Sequence, residues 1–233
     1  MKQELREPQT YNDIITAIAT GSSEMNKIVS KIGISGFDSA KCNKYLKSLI
    51  ALGIVKKEVP VFSKLNARHT IYRLNDGMFR FWYRFVYNNT PAIVLGAGAD
   101  VYERISGQIP AFMGEVFEGI AIEYLWRENI AGRLPFRFQN CGRWWGNNPL
   151  LKKEQEIDIL AYSSNGGKTI FAECKWTNEK VDNRILRGLM EKAVMFARED
   201  SYYMLFSESG FKDDVKSAAQ QNDRIILVEF EDM

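Results

Sequence analysis

A hairpin written between residues 156 and 175 constrains this chain more than any other feature. Ser163-Ser164-Asn165-Gly166-Gly167 gathers residues that accept tight or left-handed backbone conformations. The flanking runs are rich in strand formers, so residues 156–162 and 168–175 are expected to be paired antiparallel strands. That pairing can bring Asp158 close to Glu173. Side chains alternate along a strand. Glu173 and Lys175 therefore share a face, and Cys174 points into the opposite layer. Glu156 shares the face of Asp158.

Two carboxylates and an ammonium on neighbouring strands suit a divalent cation beside a phosphodiester. Carboxylate oxygens favour Mg²⁺ or Mn²⁺, with water completing the shell, and a lysine can offset charge on a phosphorane-like transition state. Glu118, at the border of the preceding helix's apolar stripe, could add a ligand. The composition speaks against other chemistries. Cys42, Cys141 and Cys174 are odd in number and scattered, against a disulfide framework or a paired-cysteine zinc site. His69 is the single histidine, a thin basis for zinc hydrolysis or Ser-His-Asp catalysis, and reads as a solvated hairpin residue.

The first part of the chain has a different character. Residues 1–90 carry 14 Lys and Arg against 7 Asp and Glu, whereas residues 91–233 carry 17 against 22. A basic first part suits a polyanion and an acidic second part suits a metal-binding site, unless this is ordinary surface scatter. Three short helices are expected, with apolar stripes at Ile14, Ile15, Ile18; at Met25, Ile28, Val29, Ile32; and at Cys42, Tyr45, Leu46, Leu49. Gly21, Gly33 and Gly53 stop them. Two strands follow, at 54–59 and 70–74, joined by a loop containing Lys64, Asn66, Arg68 and His69. This order describes a winged helix-turn-helix, whose third helix enters the major groove. Lys41, Lys44 and Lys47 could contact phosphates, with Asn43 near base edges and Arg68 in the wing. The alternative is a solvated face on a docking or spacer module. The aromatic run from Phe79 to Tyr87 is expected to be helical, burying Phe81, Trp82 and Phe85.

The chain divides into residues 1–88, a linker at 89–110, and a second domain at 111–233. The linker glycines, Gly96 and Gly98, make no dinucleotide fingerprint. The second domain reads as a helix at 111–130, a strand at 136–139, the hairpin, a helix at 182–198 carrying Arg184 and Arg187 as possible phosphate contacts, a strand at 201–206, a helix at 211–221 and a strand at 224–230. The fold class is α/β (α+β), with a mixed central sheet in an αβββαβ order. No apolar run reaches the ~20 residues that cross a bilayer, and the polar N-terminus lacks a signal-peptide region. A cytoplasmic protein with no membrane partner is expected.

Gly114-Glu115-Val116-Phe117-Glu118, Glu156-Ile157-Asp158 and Glu173-Cys174-Lys175-Trp176 resemble the motifs of the PD-(D/E)xK restriction-endonuclease-like superfamily. More closely, the chain resembles the C-terminal region of a family of archaeal and bacterial AAA-type ATPases. Those proteins carry a winged helix and then a nuclease-like domain of unknown function, domain of unknown function 234. Asp76 with Phe81-Trp82-Tyr83-Arg84-Phe85, and Gly142-Arg143-Trp144-Trp145, are similar to that family's pattern. The resemblance implies Asp158 and Glu173 as metal ligands, Lys175 as the catalytic lysine and Glu118 as the first-helix acid. Two departures stand out: Ile157 replaces the proline before the first acid, and no GxxxxGK[ST] phosphate loop is present. No ATP hydrolysis is therefore expected of this chain.

The leading expectation is a metal-dependent nuclease module delivered to DNA by its winged helix. Two alternatives stay open: a catalytically inactive DNA-binding or regulatory module attached to or partnered with an ATPase domain, and a protein-interaction scaffold.

Overall fold

The computed structural model describes residues 7–62, 69–196 and 200–233. These fall into two compact units, one built from residues 7–59 and 69–107, the other from residues 60–62 and 108–233.

In the first unit, α1 (Pro8–Ala19) starts on a proline, whose missing N–H is one the first turn leaves unpaired in any case. It buries Tyr11, Ile14, Ile15 and Ile18. α2 (Met25–Ile32) stops at Gly33, whose φ of 63° is the left-handed conformation that closes a helix. α3 (Ser39–Ala51) starts from Asp38, whose Oδ1 accepts the Lys41 N–H at 2.8 Å. Cys42, Leu46 and Leu49 are fully buried along it. β1 (Val55–Glu58) and β2 (Ile71–Leu74) pair antiparallel, with Val55 opposite Leu74. Their inward residues Val55, Tyr72 and Leu74 join the three helices in one core. Arg68, with Lys64 and Asn66, lies outside the described residues.

The aromatic run departs from its expected burial. α4 (Gly77–Phe81), capped by Asp76, continues into a wide π-type turn over Trp82–Val86. Such a turn accommodates an extra residue, which swings Tyr83 inwards and leaves Phe81 and Trp82 exposed, while Phe85 stays buried. The Tyr83 hydroxyl donates to Asn12 Oδ1 at 2.7 Å. Residues 89–110, expected as a linker, are also helical, with α5 (Thr90–Val94) and α6 (Gly98–Ser106) separated at Gly96, whose φ is 88°.

The second unit begins with α7 (Ile109–Ala131), which ends at Gly132 in a left-handed conformation. Five strands follow: β3 (Asn140–Asn148), β4 (Lys153–Tyr162), β5 (Lys168–Lys175), β6 (Asp200–Ser207) and β7 (Ile225–Glu229). They lie in the order β3-β4-β5-β6-β7. The first three are antiparallel and the last three parallel, so the sheet is mixed. The parallel connections carry α8 (Asn183–Ala193) and α9 (Asp213–Gln221). One face packs Ile159, Ala161, Ile170, Ala172 and Phe206 against Phe117, Ala121 and Leu125 of α7. The other packs Ile157, Leu160, Phe171 and Leu205 against Leu186, Leu189 and Ala193 of α8 and Val215 of α9.

The strand expected at 136–139 is not one, and the reason is a single side chain. Asn129, buried on α7, donates from Nδ2 to the Phe138 carbonyl at 3.0 Å and accepts the Phe138 N–H on Oδ1 at 2.9 Å. With both backbone groups engaged, Phe138 has none left for a ladder, and pairing begins at Asn140. No helix among the described residues is long and apolar enough to cross a membrane.

Candidate functional site

The hairpin places Asp158 and Glu173 where its ladder ends. The last paired residues of β4 and β5 are Ile159 and Ala172. Asp158 and Glu173 are the next residues along the two strands beyond that last pair. The Asp158 side chain substitutes for the missing backbone acceptor, its Oδ2 taking the Cys174 N–H at 2.8 Å. Glu173 and Lys175 remain laddered to β6, opposite Leu205 and Ser207.

A β-bulge on the other side of β4 sharpens this placement. Between the pairs Gly142–Leu160 and Trp144–Ile157, β3 advances two residues while β4 advances three. Asp158 and Ile159 thus oppose the single residue Arg143. An extra residue of this kind bends a strand and re-aims a side chain. Here it reverses the inward alternation, so that Ile157 packs toward α8 and Ile159 toward α7.

The carboxylates sit in a web of charge. Lys175 Nζ lies 2.8 Å from Glu173 Oε1, and Lys192 Nζ, from the last turn of α8, lies 2.9 Å from Glu173 Oε2. Both acids are buried, Asp158 at 7% and Glu173 at 8% exposure. Burial first, and then the neighbouring Glu173 charge, push the Asp158 carboxyl up to about 6. Burial acts on Glu173 in the same sense, but Lys175 and Lys192 together outweigh it and hold that carboxyl below its usual range. Burial would lower the Lys175 ammonium, yet Glu173 beside it keeps it raised. The two acids are thereby driven apart in protonation, the pattern associated with functional carboxylate pairs.

Glu118 on α7 stands 3.3 Å from the Arg143 guanidinium, which also lies 3.9 Å from the exposed Glu156. The Cys174 thiol registers all three acids: burial first, then the charges of Asp158, Glu118 and Glu173, raise it well above a free thiol. Among the described residues, no group of three or more His, Cys, Asp or Glu side chains comes together in a way that could hold a metal ion. The acids that influence one another's charge across β4 and β5 are two carboxylates, Asp158 and Glu173. Mg²⁺ commonly takes one or two carboxylates and completes its shell with water and phosphate oxygens, so Asp158 and Glu173 fit such an ion in chemistry. Both oxygens of Glu173 accept ammonium hydrogen bonds, so an ion drawn to Glu173 would compete with a lysine for it.

The remaining expected positions are dispersed. Lys41, Asn43, Lys44 and Lys47 are exposed on α3, with Lys41 Nζ donating to the Gly36 carbonyl at 2.7 Å. Arg187 is exposed on α8. Arg184 is engaged by Asp182 at 2.7 Å, and this ion pair and its hydrogen bonds hold the Asp182 carboxyl down at about 2. Two residues of the site were not anticipated, Lys192 and Arg143. Lys192 adjoins the buried stripe Leu186, Leu189, Ala193, and a lysine at that border was the available signal.

The profile of domain of unknown function 234, described as "Archaea bacterial proteins of unknown function", matches residues 82–186, a stretch that includes Asp158, Glu173 and Lys175. An uncharacterized protein of Methanocaldococcus jannaschii is 30% identical over 236 residues, an alignment covering all of this chain and 50% of that protein. The crystal structure of protein VC1899 from Vibrio cholerae aligns with a TM-score of 0.39 at 15% identity, over 97% of this chain and 54% of the other. The chain thus spans about half the length of the curated relative it matches.

Proposed function

We propose that the second unit is a restriction-endonuclease-like, metal-dependent nuclease module, and that the first is a winged helix-turn-helix that carries it to DNA. The observation that carries this reading is that Asp158 and Glu173 lie just beyond the last rung of the β4–β5 ladder and act on one another electrostatically, with the Lys175 ammonium 2.8 Å from Glu173. Asp158 and Glu173 would hold Mg²⁺ or Mn²⁺, which when bound would supply Lewis acidity toward a phosphodiester. Lys175, two residues along the same strand face, orients the attacking water or offsets charge gathering on the phosphoryl group. Glu118, steadied by Arg143, accepts a hydrogen bond from water at the edge of the site. The exposed lysines of α3 contact phosphates and Asn43 lies near base edges, as expected of a groove-reading helix.

One observation favours a second reading. Glu173 already has an ammonium on each oxygen, a balanced cluster that can be purely structural. In that reading the chain is a non-catalytic DNA-binding or regulatory module of a AAA-type ATPase, or a scaffold for a partner protein.

Cleavage of plasmid and single-stranded DNA with Mg²⁺ or Mn²⁺ decides between them. The nuclease reading expects cleavage that falls at least ~100-fold in both Asp158→Ala and Lys175→Ala. Salt-sensitive DNA binding without cleavage under any metal selects the regulatory module. A flat DNA shift at low salt selects the scaffold.

A further inference from the structure

Lys192 is the member of the cluster that comes from outside the sheet. Glu173 accepts from two ammonium groups, one on each oxygen. They are not equivalent. Lys175 rises from the same strand as Glu173, two residues along the same face. Lys192 arrives from a separate element, α8, which Leu186, Leu189 and Ala193 anchor to the sheet. Its four-carbon stem can swing without disturbing β5.

We propose that Lys192 is a built-in counter-cation, occupying the Glu173 oxygen that an incoming divalent ion needs and then passing its ammonium to a nucleic-acid phosphate. This rests on the metal-binding reading above and adds a regulatory layer to it. Asp158 and Glu173 carry two negative charges, and Lys175 and Lys192 two positive ones. An ion entering this group leaves a surplus of two positive charges. Two phosphodiester charges of a nucleic-acid strand offset that surplus, and the displaced ammonium is the group placed to meet one of them. Metal and polyanion therefore assist one another's binding, and free metal in the absence of nucleic acid is held off.

The test uses the full chain with two variants, Lys192→Met, which keeps the stem, and Lys192→Gln, which keeps a neutral donor. Circular dichroism checks that both fold. Mn²⁺ alone is titrated by calorimetry, and affinity for a short single-stranded oligonucleotide is measured in Ca²⁺ across a salt series. An opposite charge within a few ångströms shifts a carboxylate's proton affinity by roughly one to three powers of ten, so Mn²⁺ should bind both variants at least about tenfold more tightly than wild type. Oligonucleotide binding should weaken, with a salt slope shallower by about one. Mn²⁺ affinity that is unchanged or reduced in both variants overturns the proposal and leaves the metal site standing, as does an unaltered salt slope. Absence of Mn²⁺ binding in wild type and both variants overturns the proposal and the metal reading together. Tighter Mn²⁺ binding and the shallower slope, in a protein that cleaves nothing, would uphold the counter-cation and remove the nuclease.

Discussion

Replacing Asp158 with asparagine should stabilise the protein near neutral pH. The folded-state carboxyl titrates at about 6 against an ordinary value of 3.8, so the fold binds this proton more tightly than the unfolded chain does. The sign follows directly. The contribution to stability is complete below the unfolded value and is lost as pH rises through about 6. At ~1.4 kcal/mol per tenfold change in proton affinity, the ionised form costs about 3 kcal/mol at pH 7.5 and about 1 kcal/mol at pH 4.5. Asparagine keeps an acceptor for the Cys174 N–H and removes the charge, and its amide can donate toward Glu173. Asp158→Asn should therefore gain about 2–3 kcal/mol at pH 7.5 and about 1 kcal/mol or less at pH 4.5. Urea denaturation at both pH values, followed by tryptophan fluorescence, measures the difference directly. Trp126, Trp144, Trp145 and Trp176 all report on the second unit. A variant less stable than wild type at pH 7.5, or a gain equal at the two pH values, refutes the reasoning. Under the nuclease reading the same substitution also removes cleavage, so stability and activity move in opposite directions.

Two further outcomes test the frame that holds the site. Asn129→Ala leaves the Phe138 N–H and carbonyl buried without partners and should cost about 2–4 kcal/mol in chemical denaturation; a loss under ~1 kcal/mol would mean the loop re-pairs elsewhere. Phe171→Ala empties a fully buried position between β4, β6 and α8 and should cost about 3–5 kcal/mol, read as a lower urea midpoint at unchanged slope.

Local chemistry made much of the architecture legible. The Ser-Ser-Asn-Gly-Gly turn lies between paired strands, with Tyr162 opposite Thr169, and the face shared by Glu173 and Lys175 follows from alternation alone. The helices of the first unit end where glycines accept positive φ, as at Gly33. What escaped depended on distant partners. Phe136-Arg137-Phe138-Gln139 alternates like a strand, but Asn129 diverts its backbone. The true edge strand, Asn140–Asn148, contains two glycines and three asparagines, which mask any strand pattern. The π-type turn that exchanged Tyr83 for Phe81 in the core obeys packing rather than period. Lys192 escaped for a similar reason: its role exists only once α8 lies on the sheet and brings it to an acid nineteen residues away in the chain.

The irregularity opposite Arg143 has a consequence for anyone redesigning this protein. Deleting Asp158 to smooth the sheet would leave Ile157 and Ile159 in the layers they now occupy, because adjacent strand residues point to opposite faces and these two already do. The residue that spoils the regular pleat is also the acid on which the proposed chemistry depends, so idealising the backbone would disarm the protein by the same edit.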